Sequence, residues 1–430
     1  MRFYIDPGTG SMLFTILIGV ISAAVFAVRG LFVKLRFYLS GGRQAKADDS
    51  RLPFVIFTDS KRDWNLFKPI CDIFEKRKQP LTYMTASPDD PALQEDYEYV
   101  TCEFIGEGNK AFARLNMLKA DILLSSTPGL EVYQWKRSKD VRYYVHIPHA
   151  INDSVVIYRM FGVDYYDAIL LTGEYQINQV REIERLRKLP QKELVLIGQP
   201  HMDELKKQAE LHPVSEHEKT VLLAPSWGAS AIFSRYGGRI INALLETDYH
   251  LIIRPHPQSF TSEKELIEGL MKEYPDSERV EWNRDDDNFE ALSRADILIS
   301  DFSGVIFDFT LVFDKPVIYA DTAFDKAPYD ACWLEEELWT FTTLPKIGMQ
   351  LTEENLDQIG ELIDTCLTDP SFRENRDKAR EETWVHRGEG AERTADFLIA
   401  KHTQLTKKET EKEAEPEEEQ KTEQKAEQDA

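Results

Sequence analysis

The chain reads as an α/β protein: two successive Rossmann-like units of parallel sheet facing a cleft, preceded by one transmembrane helix. Three observations predict this. Short apolar, β-branched runs alternate with amphipathic helical patterns, the signature of parallel strands covered on both faces. A charged stretch, Leu211–Lys219 (LHPVSEHEK), interrupts the alternation, which then restarts, so two units of similar length are joined by a linker and flank a cleft. Residues 7–28 carry no charge and are apolar enough to span a bilayer. The expected division is 1–50 (membrane anchor and basic juxtamembrane segment), 51–210 (first Rossmann-like unit), 211–405 (second Rossmann-like unit) and 406–430 (disordered acidic tail).

In the first segment Arg29, Lys34, Arg36, Arg43 and Lys46 all follow the apolar run, so positive-inside logic places the body of the protein in the cytoplasm. Asp6 before the run, and no small-x-small site after it, argue against a cleaved signal peptide. The continuation GLFVKLRFYL mixes aromatic and basic residues and suits an anionic leaflet. Strands are expected at 53–57, 81–84, 121–125, 142–146, 168–172 and 194–197. Helices are expected between them, including 64–75 and 174–186. After the linker, strands are expected at 220–224, 250–254, 279–281, 296–300 and 316–320, with a helix over 263–273. A last helix, 391–405, is expected to pack back across the structure. The Glu-, Lys- and Gln-rich tail has too little apolar surface to fold.

Bulk composition excludes some classes of function. Of the formal net charge of −23, the segment from Thr406 holds −5, leaving −18 elsewhere. No basic excess exists to meet nucleic-acid phosphates. The four cysteines, Cys71, Cys102, Cys332 and Cys366, lie far apart with no CxxC pair, which fits a reducing compartment and neither a disulfide framework nor a zinc site.

The chemistry is concentrated at strand ends. In Asp296–Asp321 an apolar strand meets the polar break Asp301-Phe302-Ser303-Gly304 before a helical segment. Ser303 is a good N-cap, Gly304 lets backbone approach a ligand, and free N–H groups there suit an anion. An ordinary strand–loop–helix connection gives the same pattern. Arg254-Pro255-His256-Pro257 closes another strand, offering a bidentate donor and an imidazole that two prolines hold in place. His146 and His149 close a strand of the first unit. A neutral histidine there can act as general base, and one of the two is expected to be structural. Their HxxH spacing lacks a third metal ligand. Ala224-Pro225-Ser226-Trp227 is placed to line the cleft, whereas the lone Gly106-Glu107-Gly108 is weak evidence for a nucleotide.

With these pieces in place, the sequence resembles the CDP-glycerol glycerophosphotransferase family, the enzymes of teichoic-acid polymer synthesis. Arg254-Pro255-His256-Pro257 is similar to that family's Arg-Pro-His-Pro, and Ser300–Phe309 to its Ser-Asp-Tyr-Ser-Ser-x-x-Phe-Asp-Phe. Lys315–Tyr319, Gly388–Arg393 and Ala224–Trp227 follow in family order, so the resemblance covers roughly residues 165–400. Two stretches depart: Pro148–Ser154 stands where the family has Trp-His-Gly-Thr-Pro-Leu-Lys, and the segment after Tyr319 follows no family pattern.

The resemblance implies a GT-B architecture. It also implies transfer of a polyol phosphate from a CDP-activated donor to a lipid-linked or cell-envelope glycan hydroxyl, with release of CMP. His149 takes the position of the family's catalytic histidine. His256 and Arg254 are expected on the transferred phosphate, with His146 a further catalytic candidate. Ser226, Asp301, Ser303, Gly304 and Asp308 are expected around the diphosphate. No residue cluster requires a metal, although a divalent cation is compatible with phosphate chemistry. Two alternatives stay open: a GT-B glycosyltransferase using a nucleotide sugar, and a non-catalytic membrane-tethered scaffold.

Overall fold

The computed structural model describes residues 51–407 apart from 215–216, 286 and 322–323. The expected membrane segment and nearly all of the acidic tail lie outside these residues. Among the described residues no helix is long and apolar enough to cross a membrane.

Two all-parallel sheets form the framework. The first contains β1 (Leu52–Thr58), β2 (Leu81–Thr85), β3 (Val100–Phe104), β4 (Ala120–Ser125), β5 (Val141–His146), β6 (Ala168–Leu171) and β7 (Glu193–Leu196). Their order is β3-β2-β1-β4-β5-β6-β7. The second contains β8 (Thr220–Leu223), β9 (His250–Ile253), β10 (Val280–Trp282), β11 (Ile297–Ser300), β12 (Val317–Ala320) and β13 (Gly348–Leu351), in the order β10-β9-β8-β11-β12-β13. In each sheet the order reverses beside the first strand, between β1 and β4 and between β8 and β11. Such switch points open a crevice at the strands' carboxyl ends, where ligands bind in doubly wound folds. Strands β4, β6, β8, β11 and β12 are buried at every position, which is why they read as continuous apolar runs.

The expected strands are all present, within a residue or two at their ends. Two more were not foreseen. Strand β3 is an edge strand whose central residues are partly exposed, so its pattern is mixed. Strand β13, Gly-Met-Gln-Leu, carries no β-branched residue and is recruited by pairing with β12. At Gly348 a Cβ would run into the Val317 carbonyl, so only glycine fits this close approach.

The chain crosses between the halves twice. The helix Pro200–Leu211 leads into the linker. The second crossing follows the helix Pro370–Thr383, after which residues 390–407 form the last helix. This helix returns to the first sheet, where Ala395 and Leu398 enter its core. His402 Nε2 lies 3.0 Å from Asp121 Oδ2, and Lys401 Nζ 2.5 Å from Glu193 Oε2. Asp203 joins the two crossings: its carboxylate accepts from Trp384 Nε1 (2.9 Å), Gly388 N (2.7 Å) and Gly390 N (2.9 Å). Gly388 has φ +80°, a left-handed turn that favours glycine, which accounts for the Gly-Glu-Gly sequence at this point.

Candidate active site

A cavity of about 230 Å³ lies at the carboxyl ends of β8, β9 and β11. It brings together Arg254, His256 and Ser303 from three separate motifs. Arg62, Asn65 and His201 complete its wall from the side of the first sheet. The Arg254 guanidinium is aimed by Asn283 Oδ1 and by the carbonyl of Asp285, at 2.8 Å. His256 Nδ1 accepts the Gln258 N–H at 3.1 Å, which puts the proton of the neutral ring on Nε2. Burial, then the nearby Arg62 charge, pushes the His256 pKa below the ordinary histidine value, while Glu263 opposes this. His256 is therefore a neutral N–H donor here. Trp227 stands beside it, with ring centroids 6.4 Å apart and 42% of its surface exposed.

The two histidines at the end of β5 separate clearly. His149 is exposed, and its Nδ1 lies 3.3 Å from the Tyr158 hydroxyl. It is close enough to Asp59 and Asp308 to act on both electrostatically. His146 is 1% exposed, enclosed by the Tyr158 and Tyr166 rings at centroid distances of 4.9 Å each. Neither of its ring nitrogens has a hydrogen-bond partner. The Ser125 carbonyl, the group best placed to favour its charged form, already accepts from the Ile147 N–H at 3.1 Å. Burial drives the His146 pKa down to about 3. His146 is thus not placed to touch a ligand, and of the two it is the structural histidine.

The acidic and small residues expected around a diphosphate take more specific roles. Asp301, 1% exposed, uses its carboxylate on backbone: it accepts from Ser226 N (3.0 Å), Phe302 N (2.8 Å) and Ile232 N (3.4 Å). It ties the loop after β8 to the loop after β11 rather than facing a ligand, and Ser226 is buried with it. The helical turn begins at Gly304, not Ser303, so Ser303 does not cap it and instead lines the cavity. Gly304 has φ −57°, an ordinary helical value, so left-handed backbone freedom is not its use. A Cβ there would meet Ala150 Cβ at 3.3 Å, across the cleft. Asp308 begins a π-helical turn, Asp308–Val312, of a kind often found at functional sites. It is 8% exposed, its Oδ1 has no hydrogen-bond partner, and burial raises its pKa against the pull of His201 and His149.

The two stretches that depart from the family pattern meet each other. Asp153 accepts from Trp339 N (2.8 Å) and Thr340 N (2.9 Å), capping the helix Trp339–Ile347 from the other half. Ala331 N donates to Val155 O (3.0 Å), Met160 N to Pro328 O (2.9 Å), and Arg159 forms a β-bridge with Tyr329. Arg187 pairs with Asp330 at 2.8 Å, and Val155, Ile183, Ala331 and Leu338 make a small core. The altered His149 loop is thus one side of a joint whose other side is the altered segment 324–341.

His201 escaped the sequence reading. The available signal was a histidine directly after the strand-end turn Gly198-Gln199-Pro200. Among the described residues no group of three or more His, Cys, Asp or Glu side chains is arranged to hold a metal ion.

The family model for CDP-Glycerol:Poly(glycerophosphate) glycerophosphotransferase matches residues 163–381. No curated protein matches the chain by sequence. Among solved structures, the wall teichoic acid polymerase TagF is similar with TM-score 0.55 at 15% identity, over 89% of this chain and 99% of that one. An S. aureus MnaA–UDP co-structure gives TM-score 0.55 at 12% identity, over 80% of this chain and 94% of that one. A putative UDP-N-acetylglucosamine 2-epimerase from Listeria monocytogenes gives 0.52 at 12%, over 80% and 95%. At such identities the likeness is one of fold: paired Rossmann-like sheets around a cleft, of the GT-B kind.

Proposed function

Because the chain belongs to the CDP-glycerol:poly(glycerophosphate) glycerophosphotransferase family, we propose that it moves a polyol phosphate from a CDP-activated donor to a hydroxyl of a lipid-linked or cell-envelope glycan. The chain is a CDP-glycerol glycerophosphotransferase-like transferase. The observation that carries the finer reading is the convergence of Arg254, His256 and Ser303 in one cavity, with Gly304, next to Ser303, approaching Ala150, the neighbour of exposed His149.

In this mechanism the acceptor oxygen attacks the phosphorus that bears the polyol, and His149 takes the hydroxyl proton. The bond from that phosphorus to the bridging oxygen breaks, and CMP leaves with the electron pair. Arg254 donates to the transferred phosphate, as does His256 through Nε2–H. Ser303 and the backbone at Gly304 approach the diphosphate. Asp301 keeps the two cavity loops in register and does not contact the donor. Phosphoryl transfer depends on positioning and charge stabilisation, which this set supplies. Residues 51–210 would serve the acceptor and 211–405 the donor. The apolar run at 7–28 would anchor the enzyme in the membrane, with its body in the cytoplasm.

The test is CMP release from CDP-glycerol by the full chain in detergent, with a membrane-lipid acceptor, beside His149→Ala and His256→Ala. Acceptor-dependent release that both substitutions abolish supports the reading. Tight binding of a UDP-sugar with no CMP release would replace it by glycosyl transfer. Nucleotide binding without turnover, unaffected by His256→Ala, would leave a scaffold.

A further inference from the structure

We propose that Arg62 is a phosphate-binding residue of this site, the charge that the first half contributes across the cleft to the donor's diphosphate. The proposal rests on the CDP-donor reading above. Arg62 sits in the short turn Lys61–Asp63, just after β1 and so at the switch point of the first sheet. That turn is fixed from several sides. Ser60 Oγ accepts from the Arg62 N–H (3.3 Å). The Asp63 carboxylate accepts from Thr58 Oγ1 (2.8 Å) and from Ser126 Oγ (2.5 Å), directly after β4. The Arg62 side chain takes no part in this. It is exposed and lines the cavity with Arg254, His256 and Ser303. Among the described residues its guanidinium has no hydrogen-bond or ion-pair partner. A held backbone that presents an uncommitted arginine to a cavity is a preorganised anion ligand.

The charges on the cavity wall call for such a residue. A CDP-linked diphosphate carries a negative charge on each phosphate. His256 is a neutral donor, and Arg254 already donates from one terminal nitrogen to Asn283 Oδ1 and from the other to the Asp285 carbonyl, at 2.8 Å. No lysine stands among the described residues of the wall, so Arg62 is its second permanent cation. Two guanidinium groups that share one cavity of about 230 Å³ repel each other until an anion lies between them. Asp287, the carboxylate of the wall, has other partners: it accepts from the Phe289 N–H (2.6 Å) and from Asn65 Nδ2 (3.2 Å). Asn65 is three residues after Arg62, on the same face of the turn. Its bond to Asp287 therefore joins the halves beside Arg62 and sets how far that arginine stands from the donor-side loops.

The test is calorimetric titration of the full chain in detergent with CDP, and separately with inorganic pyrophosphate. The variants are Arg62→Gln, Arg62→Lys and a charge control, Arg393→Gln, on the last helix where Arg393 pairs with Glu389 at 2.7 Å. No side-chain contact is lost in Arg62→Gln, so its unliganded melting temperature should match that of the unaltered chain. Losing one charge-assisted hydrogen bond should weaken binding by roughly tenfold or more in Arg62→Gln. Arg62→Lys, which keeps the charge without the fork, should recover part of the loss, and Arg393→Gln should bind as the unaltered chain does. Unchanged affinity of folded Arg62→Gln for whichever of the two ligands the unaltered chain binds would overturn the proposal. So would an equal loss in Arg393→Gln, or an unaltered chain that binds neither ligand. If the unaltered chain binds pyrophosphate and UDP but not CDP, the donor reading fails. A loss of pyrophosphate affinity in Arg62→Gln would then still support Arg62 as the phosphate contact, and unchanged affinity would refute it.

Discussion

His146→Phe separates the structural histidine from the one proposed to be catalytic and carries a magnitude that follows from the structure. The native ring is buried between Tyr158 and Tyr166, with both nitrogens unpartnered, and its pKa falls to about 3. In the unfolded chain the same ring titrates near an ordinary value of about 6.5. Between these values the unfolded state binds a proton that the native state refuses, so native stability falls as pH is lowered. At about pH 5 this single histidine costs about 2 kcal/mol of stability relative to about pH 7.5, from the linkage of the two pKa values. Phenylalanine keeps a ring between the two tyrosines and removes the titration. Urea unfolding at the two pH values should therefore show the variant losing about 2 kcal/mol less than the unaltered chain on acidification. Activity at neutral pH should be retained. Equal acid losses in both proteins would refute the buried neutral assignment. Lost activity in a folded variant would place His146 on the reaction path after all.

Three further outcomes follow from contacts between the halves. Asp153→Ala leaves the N–H groups of Trp339 and Thr340 without their acceptor and should cost about 1–3 kcal/mol, read as a lowered melting temperature with faster amide exchange over 339–347. Gly304→Ser sets a Cβ 3.3 Å from that of Ala150 and should depress turnover, while Ala150→Gly in the same chain should restore it. Arg254→Lys replaces the planar fork, whose two terminal nitrogens reach Asn283 and Asp285 separately, by a single ammonium nitrogen. It should raise the donor KM about tenfold or more, measured in the CMP-release assay, with melting temperature little changed.

The strands were legible because a parallel strand buried on both faces announces itself locally, as in Ile297–Ser300 and Val317–Ala320. The motif residues Arg254, His256 and Ser303 stood out for a related reason: they directly follow such strands, and ligands in doubly wound folds bind at the strands' carboxyl ends. Strand β13 was not, since its pattern is neutral and its partner β12 supplies the pairing.

Within the site, sequence alone could not divide His146 from His149, because strand alternation does not say which side chain meets two tyrosines and which meets the cleft. Nor could it show that Asp301 spends its oxygens on Ser226, Phe302 and Ile232, that Gly304 answers to Ala150, or that His201 shares a cavity with Arg254. The sequence by itself determined the alternation of elements and the family, and it named the residues proposed here to carry phosphate chemistry. Only the tertiary structure decided which of those residues share a cavity and which are enclosed. Helix and strand preferences act over a few residues, whereas burial and convergence depend on partners tens to hundreds of residues away.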